Sequence, residues 1–146
     1  HAGLNALLND PGLYPCLLYP GPTALNLSGT APLALPPGRD LLVIIVDGTW
    51  VEARKVVHRS RNLQRLPRVS FTPGALSRFR IKHQPRPEYL STIEAAYEVL
   101  GALEARGYEP PIPHRHTLVD ILLDIVNFQT PHGNFRTVTR PSRKRP

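Results

Sequence analysis

Residues 41–46 are six apolar positions in succession, Leu-Leu-Val-Ile-Ile-Val, without the alternation of a half-exposed strand. Such a run predicts a strand at the middle of a sheet, buried on both faces. The run ends at Asp47, and a helical pattern with a strongly basic surface follows over residues 51–61. In open α/β sheets, ligands bind beyond the carboxyl ends of the strands, where a loop leads into a helix N-terminus. The segment 47–50 is therefore the first candidate for a functional site.

The rest of the chain alternates between short apolar runs and amphipathic segments, separated by proline-rich connectors at 23–40 and 109–116. This alternation predicts one α/β domain with a mostly parallel sheet flanked by helices. The pattern does not distinguish a plain doubly wound sheet from a knotted one. The further predicted strands cover residues 16–19, 68–71, 79–82 and 135–139, and the further predicted helices cover residues 4–8, 91–106 and 117–129.

Two further segments carry turn or cap signals. The segment 19–21, Tyr-Pro-Gly, ends one predicted strand much as Asp47 ends another. Two such ends side by side would border one crevice, although a simple turn explains these residues equally well. Ser91-x-x-Glu94 is a capping box, in which the Ser91 hydroxyl accepts from the Glu94 amide and the Glu94 carboxylate reaches back. The amides of such a helix start also suit a carboxylate or phosphate ligand.

The charge of the chain favours a polyanionic partner. Eighteen Lys and Arg, 15 of them Arg, stand against 11 Asp and Glu, and the net charge is +7. Arginine stacks on bases and binds phosphate bidentately, which suits nucleic acid. A coding bias toward Arg, Pro and Ala explains the same surplus.

The cysteine count and the hydropathy of the chain limit the cellular locations that the sequence predicts. The single Cys16 cannot form an internal disulfide or a thiolate metal site, which favours a reducing, cytoplasmic location. No apolar run approaches the ~18 residues of a membrane span, and no signal peptide is visible. The chain nevertheless starts at His1 rather than at a natural initiator.

Several enzyme classes find no support in the motifs. Neither a Gly-x-Gly-x-x-Gly turn nor a Walker loop follows any predicted strand, and the histidines lack metal-ligand spacing. A hydrolytic triad of Ser91, His132 and Asp47 would lack a nucleophile elbow. Asp47, Thr49 and Trp50 remain, either as catalytic groups or as a helix cap and a core side chain. Spacing alone favours the cap and the core.

The identity of the residues at 47–50 favours a catalytic role over the role of a helix cap and a core side chain. Residues 47–50, Asp-Gly-Thr-Trp, resemble the Asp-x-Thr-Trp signature of the DTW-domain family. Four blocks in the same order over nearly the whole chain make the resemblance specific. The other three blocks are Tyr19-Pro20-Gly21, Leu90-Ser91-Thr92-Ile93-Glu94-Ala95, and Phe128-Gln129 with His132-Gly133.

The resemblance implies a SPOUT-like α/β fold, similar to that of the knotted methyltransferases. It further implies that S-adenosylmethionine is a co-substrate, whose 3-amino-3-carboxypropyl group passes to the ring imide nitrogen of a uridine in tRNA. Methylthioadenosine would be the by-product, and a related branch of the family acts on ribosomal RNA. The expected domain covers residues 1–140, followed by a basic tail at 141–146.

The resemblance also assigns roles to residues. Asp47 would remove the imide proton or position the group that does so, and Trp50 would wall the pocket or stack on the uridine. The candidate catalytic residues are Asp47, Thr49 and Trp50; the candidate cofactor-binding residues are Tyr19, Pro20, Gly21, Leu90, Ser91, Thr92 and Glu94; the candidate RNA-binding residues are Arg54, Lys55, Arg59 and Arg61.

The sequence departs from the family pattern in one respect, which bears on whether a metal site is expected. Family members usually carry a cysteine-rich N-terminal part, thought to bind metal, which this sequence lacks. The domain is therefore expected to be N-terminally incomplete, and no metal ligand is assigned within it. Two alternatives stay open: an RNA methyltransferase of the same fold that uses the same cofactor, and a non-catalytic RNA-binding module.

Overall fold

Four short strands and five helices make up the part of the chain that the computed structural model describes, residues 1–79 and 89–129. The strands are β1 (Leu13–Leu18), β2 (Leu25–Asn26), β3 (Asp40–Ile44) and β4 (Arg68–Ser70). The helices are α1 (Ala2–Leu8), α2 (Trp50–Arg59), α3 (Arg61–Gln64), α4 (Thr92–Ala105) and α5 (Thr117–Gln129).

The strands form one parallel sheet in the order β2-β4-β1-β3. The predicted α/β class, with a mostly parallel sheet flanked by helices, is confirmed. The knotted, SPOUT-like form stays a prediction. Phe79 lies in no strand, whereas the rest of the predicted strand 79–82, all of strand 135–139 and the tail 141–146 lie outside the described residues.

Among the described strands, the one that precedes Asp47 lies at an edge of the sheet, and it is half-buried, so the prediction of a strand buried on both faces is wrong. Within the described residues β3 pairs with β1 alone, and its residues 41–44 are half-buried. Two of the described strands, β1 and β4, have neighbours on both sides, and Cys16 and Leu17 of β1 have no exposed surface. A continuous apolar run therefore did not identify an interior strand here, because β1 and β4 occupy the interior positions among the described strands.

The position of Pro15 explains why β1, which pairs on both sides, tolerates a residue without an amide proton. The amides of Leu17 and Tyr19 donate to the Pro67 and Val69 carbonyl oxygens, at 2.9 Å and 3.0 Å, so amides at this parity face β4. The β1–β4 pairing begins only at Leu17. Pro15 lies before β4 starts, and its missing donor costs the ladder no hydrogen bond.

Each face of the sheet buries its own apolar cluster, as the alternation along β1 requires. Cys16 belongs to the cluster under α4, together with Val69 and Val99. Leu17 belongs to the cluster under α2 and α3, together with Val57 and Leu63. The sheet is thus held between two helical layers, and its carboxyl edge is left for the loops.

The helical pattern predicted over residues 51–61 is divided into two helices. Ser60 adopts an extended conformation with ψ 90°, so α2 ends at Arg59 and α3 begins one residue later. The Gln64 side-chain amide then donates to the Val57 carbonyl oxygen at 3.0 Å, which holds α3 against the end of α2. Among the described helices, none has both the length and the apolar composition to cross a bilayer.

The buried thiol of Cys16 should be inert in the folded protein. Burial raises its pKa to about 11, because desolvation disfavours the thiolate. We expect an aromatic disulfide reagent at neutral pH to label Cys16 only after unfolding in urea. The pKa of Cys16 in the folded protein exceeds the reference value of 9.0. The contribution of this thiol to the free energy of unfolding is therefore fully present below pH 9.0 and is lost as the pH rises toward 11. Equal labelling rates with and without urea would contradict this expectation.

Candidate active site

The loops that follow β1 and β3 leave the sheet at the same edge from neighbouring strands. The two strands are parallel, and Leu17 pairs with Ile44. The loop that starts at Tyr19 therefore emerges beside the loop that contains Asp47. This edge is the carboxyl edge, where ligands of α/β sheets bind.

The Asp47 side chain is exposed and lies outside the cap of its own helix. Its Oδ1 atom accepts a hydrogen bond from the Thr92 hydroxyl at 2.5 Å. Thr92 is the first residue of α4, 45 positions away along the chain. The carboxylate is thus oriented by a second element of the fold, while its other oxygen has no partner among the described residues.

Thr49 fills the cap position of α2. Its hydroxyl accepts from the Glu52 amide at 3.3 Å, and Glu52 Oε2 accepts from the Thr49 amide at 2.8 Å. This capping box is visible in the sequence as Thr49-x-x-Glu52. Gly48, with φ 130°, makes the turn into the cap, and a Cβ there would lie 3.3 Å from Glu52 Oε2. The hydroxyl of Thr49 is therefore committed to the helix start.

Trp50 begins α2 and stacks on Tyr89. The two ring centroids are 4.3 Å apart and the ring planes are inclined by 34°. Tyr89 was missed by sequence reasoning, and its only signal is its place directly before the Leu-Ser-Thr block. This stack and the Asp47–Thr92 hydrogen bond together dock the segment 89–92 against the segment 47–50.

Ser91 and Glu94 form the predicted capping box of α4. The Ser91 hydroxyl accepts from the Glu94 amide at 3.3 Å, and Glu94 Oε2 accepts from the Ser91 amide and hydroxyl, both at 2.8 Å. Glu94 is only 6% exposed, and it also accepts from the Ser77 hydroxyl at 2.8 Å and from the Arg78 amide at 2.6 Å. Both side chains thus hold the helix start together. The amides of Thr92 and Ile93 donate to no acceptor within the described residues, as is usual in a first helical turn.

Arg68 reaches the Tyr-Pro-Gly loop from β4. Its guanidinium carbon lies 5.3 Å from the centroid of the Tyr19 ring. A Cβ on Gly21 would lie 3.2 Å from Arg68 Nη1, so glycine leaves room for this approach. Sequence reasoning missed Arg68, since a single arginine at a strand start carries no signal of its own.

Two cavities adjoin parts of the predicted site. One of about 160 Å³ lies between α4 and α5 and is lined by Leu90 and Glu94. It is smaller than the usual 300 Å³ or more of a small-molecule site. The other, of about 620 Å³, is lined by Arg68 and by Pro22 and Thr23, which follow the Tyr-Pro-Gly loop. Neither is lined by Asp47, Thr49 or Trp50.

The predicted RNA-binding residues are all exposed. Arg54, Lys55 and Arg59 are exposed on α2, and Arg61 is exposed at the start of α3. In the described part of the chain, no group of three or more His, Cys, Asp or Glu residues is placed to hold a metal ion.

Comparison with known proteins gives a family match and relatives. The model of the DTW domain matches residues 1–130. A tRNA-uridine aminocarboxypropyltransferase 2 from Drosophila melanogaster is 32% identical over 133 residues, which are 91% of this chain and 49% of that protein. The proteins of that name from Macaca fascicularis and Mus musculus are 31% and 32% identical, over 80% of this chain and 37% of their own length. The chain thus spans about half or less of these relatives, and no solved structure matches it.

Proposed function

Because the chain belongs to the DTW-domain family, we propose that it transfers the 3-amino-3-carboxypropyl group of S-adenosylmethionine to a uridine base in tRNA. The similar proteins are named for aminocarboxypropyl transfer to tRNA uridine. The observation that carries the proposal within the fold is the exposed Asp47 carboxylate. It stands at the carboxyl edge of the sheet and is oriented by Thr92 rather than spent on its own helix cap.

For this reaction the protein must mainly align S-adenosylmethionine with the uridine and remove one proton. S-adenosylmethionine supplies a sulfonium that makes the adjacent methylene carbon electrophilic. The ring imide nitrogen of uridine forms a bond to that carbon, the carbon–sulfur bond breaks, and its electron pair stays on sulfur in methylthioadenosine. Asp47 takes the imide proton as general base, or positions the group that takes it. Holding both reactants in line supplies the rest of the rate enhancement.

The residues around this edge suit the donor. The amides of Thr92 and Ile93 at the start of α4, which have no acceptor among the described residues, and the Arg68 guanidinium suit the methionine carboxylate. Tyr19 and the apolar ends of β1 and β3 suit the adenine ring. Ser91 and Glu94 contribute by holding the helix start, since their own polar atoms are already bonded there. In the proposed site the residues that contact the cofactor or hold its binding elements in place are Tyr19, Pro20, Gly21, Leu90, Ser91, Thr92 and Glu94.

Thr49 and Trp50 complete the catalytic motif. Thr49 caps α2 and thereby sets the turn that presents Asp47. Trp50, with Tyr89 against its ring, forms a wall of the site beside the carboxylate.

The buried, unpaired thiol of Cys16 is compatible with a reducing compartment, and we propose a cytoplasmic location.

The by-product distinguishes the proposed reaction from its rivals. We expect the protein, incubated with tRNA and S-adenosylmethionine, to yield methylthioadenosine and an aminocarboxypropyl uridine, both detected by mass spectrometry. S-adenosylhomocysteine with a methylated base would identify a methyltransferase instead. Binding of tRNA without either product would identify a non-catalytic RNA-binding module.

The basic surface of α2 and α3 is proposed to bind the tRNA backbone. A variant with Arg54, Lys55 and Arg59 all replaced by Gln should bind tRNA more weakly. The slope of log K against log salt should also become shallower by about 2 to 3, because each lost phosphate contact removes about 0.7–0.9. Affinity titrations over a range of salt concentrations measure this slope.

Val56 provides the control for that experiment. It lies on the same helix and is 43% exposed, so Val56→Gln changes the surface without changing its charge and should keep the parent slope. A flat salt dependence for the parent protein would contradict a phosphate-dominated interface.

A further inference from the structure

Two contacts tie the start of α4 to the Asp-Gly-Thr-Trp motif. The Thr92 hydroxyl donates to Asp47 Oδ1 at 2.5 Å, and the Tyr89 ring stacks on Trp50 at 4.3 Å. The partners in each pair are 45 and 39 positions apart along the chain. The motif is therefore not a self-contained turn, since a distant segment holds both its acid and its indole.

Thr92 is itself held firmly. It follows the cap residue Ser91, and the buried Glu94 carboxylate bonds Ser91 and also the segment at Ser77 and Arg78. The helix start is thus anchored on two sides. An exposed aspartate side chain otherwise turns freely about its two side-chain torsions, so a donor on an anchored element restricts its orientation.

We propose that Thr92 is the positioning residue for Asp47. Its hydroxyl occupies Oδ1 and leaves Oδ2 to face the imide proton of the uridine, and the Tyr89–Trp50 stack keeps the two segments in register. The proposal rests on the proposed function, because it assigns Asp47 the proton of that reaction. It also separates two uses of Thr92, whose side chain serves Asp47 while its backbone amide stays available to the methionine carboxylate.

The first experiment compares Thr92→Val with Thr92→Ser. Valine keeps the shape of threonine without the donor, and we expect kcat to fall about tenfold to a hundredfold, because misplacement of a catalytic group by about 1 Å costs that much. The Kd for S-adenosylmethionine should stay within about twofold, since the backbone amide is kept. Serine restores the donor and should return kcat to within about threefold of the parent. Thr117→Val, at the matching first position of α5, should leave kcat unchanged.

Tyr89 has a direct spectroscopic readout, because Trp50 is the only tryptophan in the chain. We expect Tyr89→Leu to shift the fluorescence emission of the protein and to lower kcat, while Tyr89→Phe keeps the ring and restores both. An emission spectrum unchanged in Tyr89→Leu would overturn the stacking part of the proposal.

A double-variant comparison tests the Asp47–Thr92 pair without any turnover. Asp47→Ala and Thr92→Val should each lower the folding equilibrium constant, and the double variant should cost about fivefold less than the product of the two effects. Independent effects, a parent-like kcat in Thr92→Val, or a Thr92→Ser variant as slow as Thr92→Val would each overturn the proposal. If the parent transfers nothing to tRNA, the proposed function fails, and this comparison alone decides whether Thr92 positions Asp47.

Discussion

Replacement of Asp47 by Asn is expected to lower kcat for transfer to tRNA by about 10²–10⁴-fold, the usual contribution of a general base. The amide has the size of the carboxylate and can still accept from the Thr92 hydroxyl through its oxygen, so the local geometry is kept. It cannot take the imide proton. The measurement is single-turnover transfer at saturating S-adenosylmethionine, together with calorimetry of the cofactor alone, whose Kd should change less than about threefold.

Asp124→Asn is the matched control, because Asp124 is exposed on α5 and carries the same change of charge away from the site. Its kcat should equal that of the parent. Unchanged turnover in Asp47→Asn would remove Asp47 from the mechanism, and equal losses in both variants would point to a general effect of charge.

Replacement of Glu94 by Ala should lower the free energy of unfolding by about 1–3 kcal/mol, the usual cost of leaving donors without their acceptor. The Glu94 carboxylate is 6% exposed and accepts four hydrogen bonds, from Ser77, from Arg78 and twice from Ser91. Truncation leaves these donors without their acceptor and detaches the segment at 77–78 from α4. Urea unfolding followed by far-ultraviolet circular dichroism measures the loss.

Glu98→Ala on the same helix is the control, since Glu98 is half-buried and its carboxylate accepts no hydrogen bond within the described residues. It should change the free energy of unfolding by less than about 1 kcal/mol. A Glu94→Ala variant as stable as Glu98→Ala would show that the carboxylate is not what anchors the helix start.

The structure also changes the roles that individual candidate residues can have in the site. Thr49, Ser91 and Glu94 were candidates for direct chemistry or cofactor contact, and their polar atoms are engaged in two capping boxes. Their contribution to the proposed reaction is therefore the placement of helix starts. Asp47 differs from them, because it accepts its hydrogen bond across the fold and keeps one oxygen free of described partners.

Local signals in the sequence determined the start of α4, the extent of α5 and the α/β class. Ser91-x-x-Glu94 predicted the helix start, since a capping box needs only residues three apart, and the apolar face over 117–129 predicted α5 with its observed bounds. The four-block resemblance predicted the family, which the domain match over residues 1–130 confirms.

Only the tertiary structure decided which strands are interior and which groups meet at the motif. Strand order depends on which apolar faces the helices cover, so among the described strands β1 and β4, rather than the apolar run before Asp47, took the interior positions. The Asp47–Thr92 and Trp50–Tyr89 contacts join segments about forty residues apart along the chain. No periodicity or motif spacing encodes such a contact, because it exists only once two strand ends and a helix start are packed at one edge of the sheet.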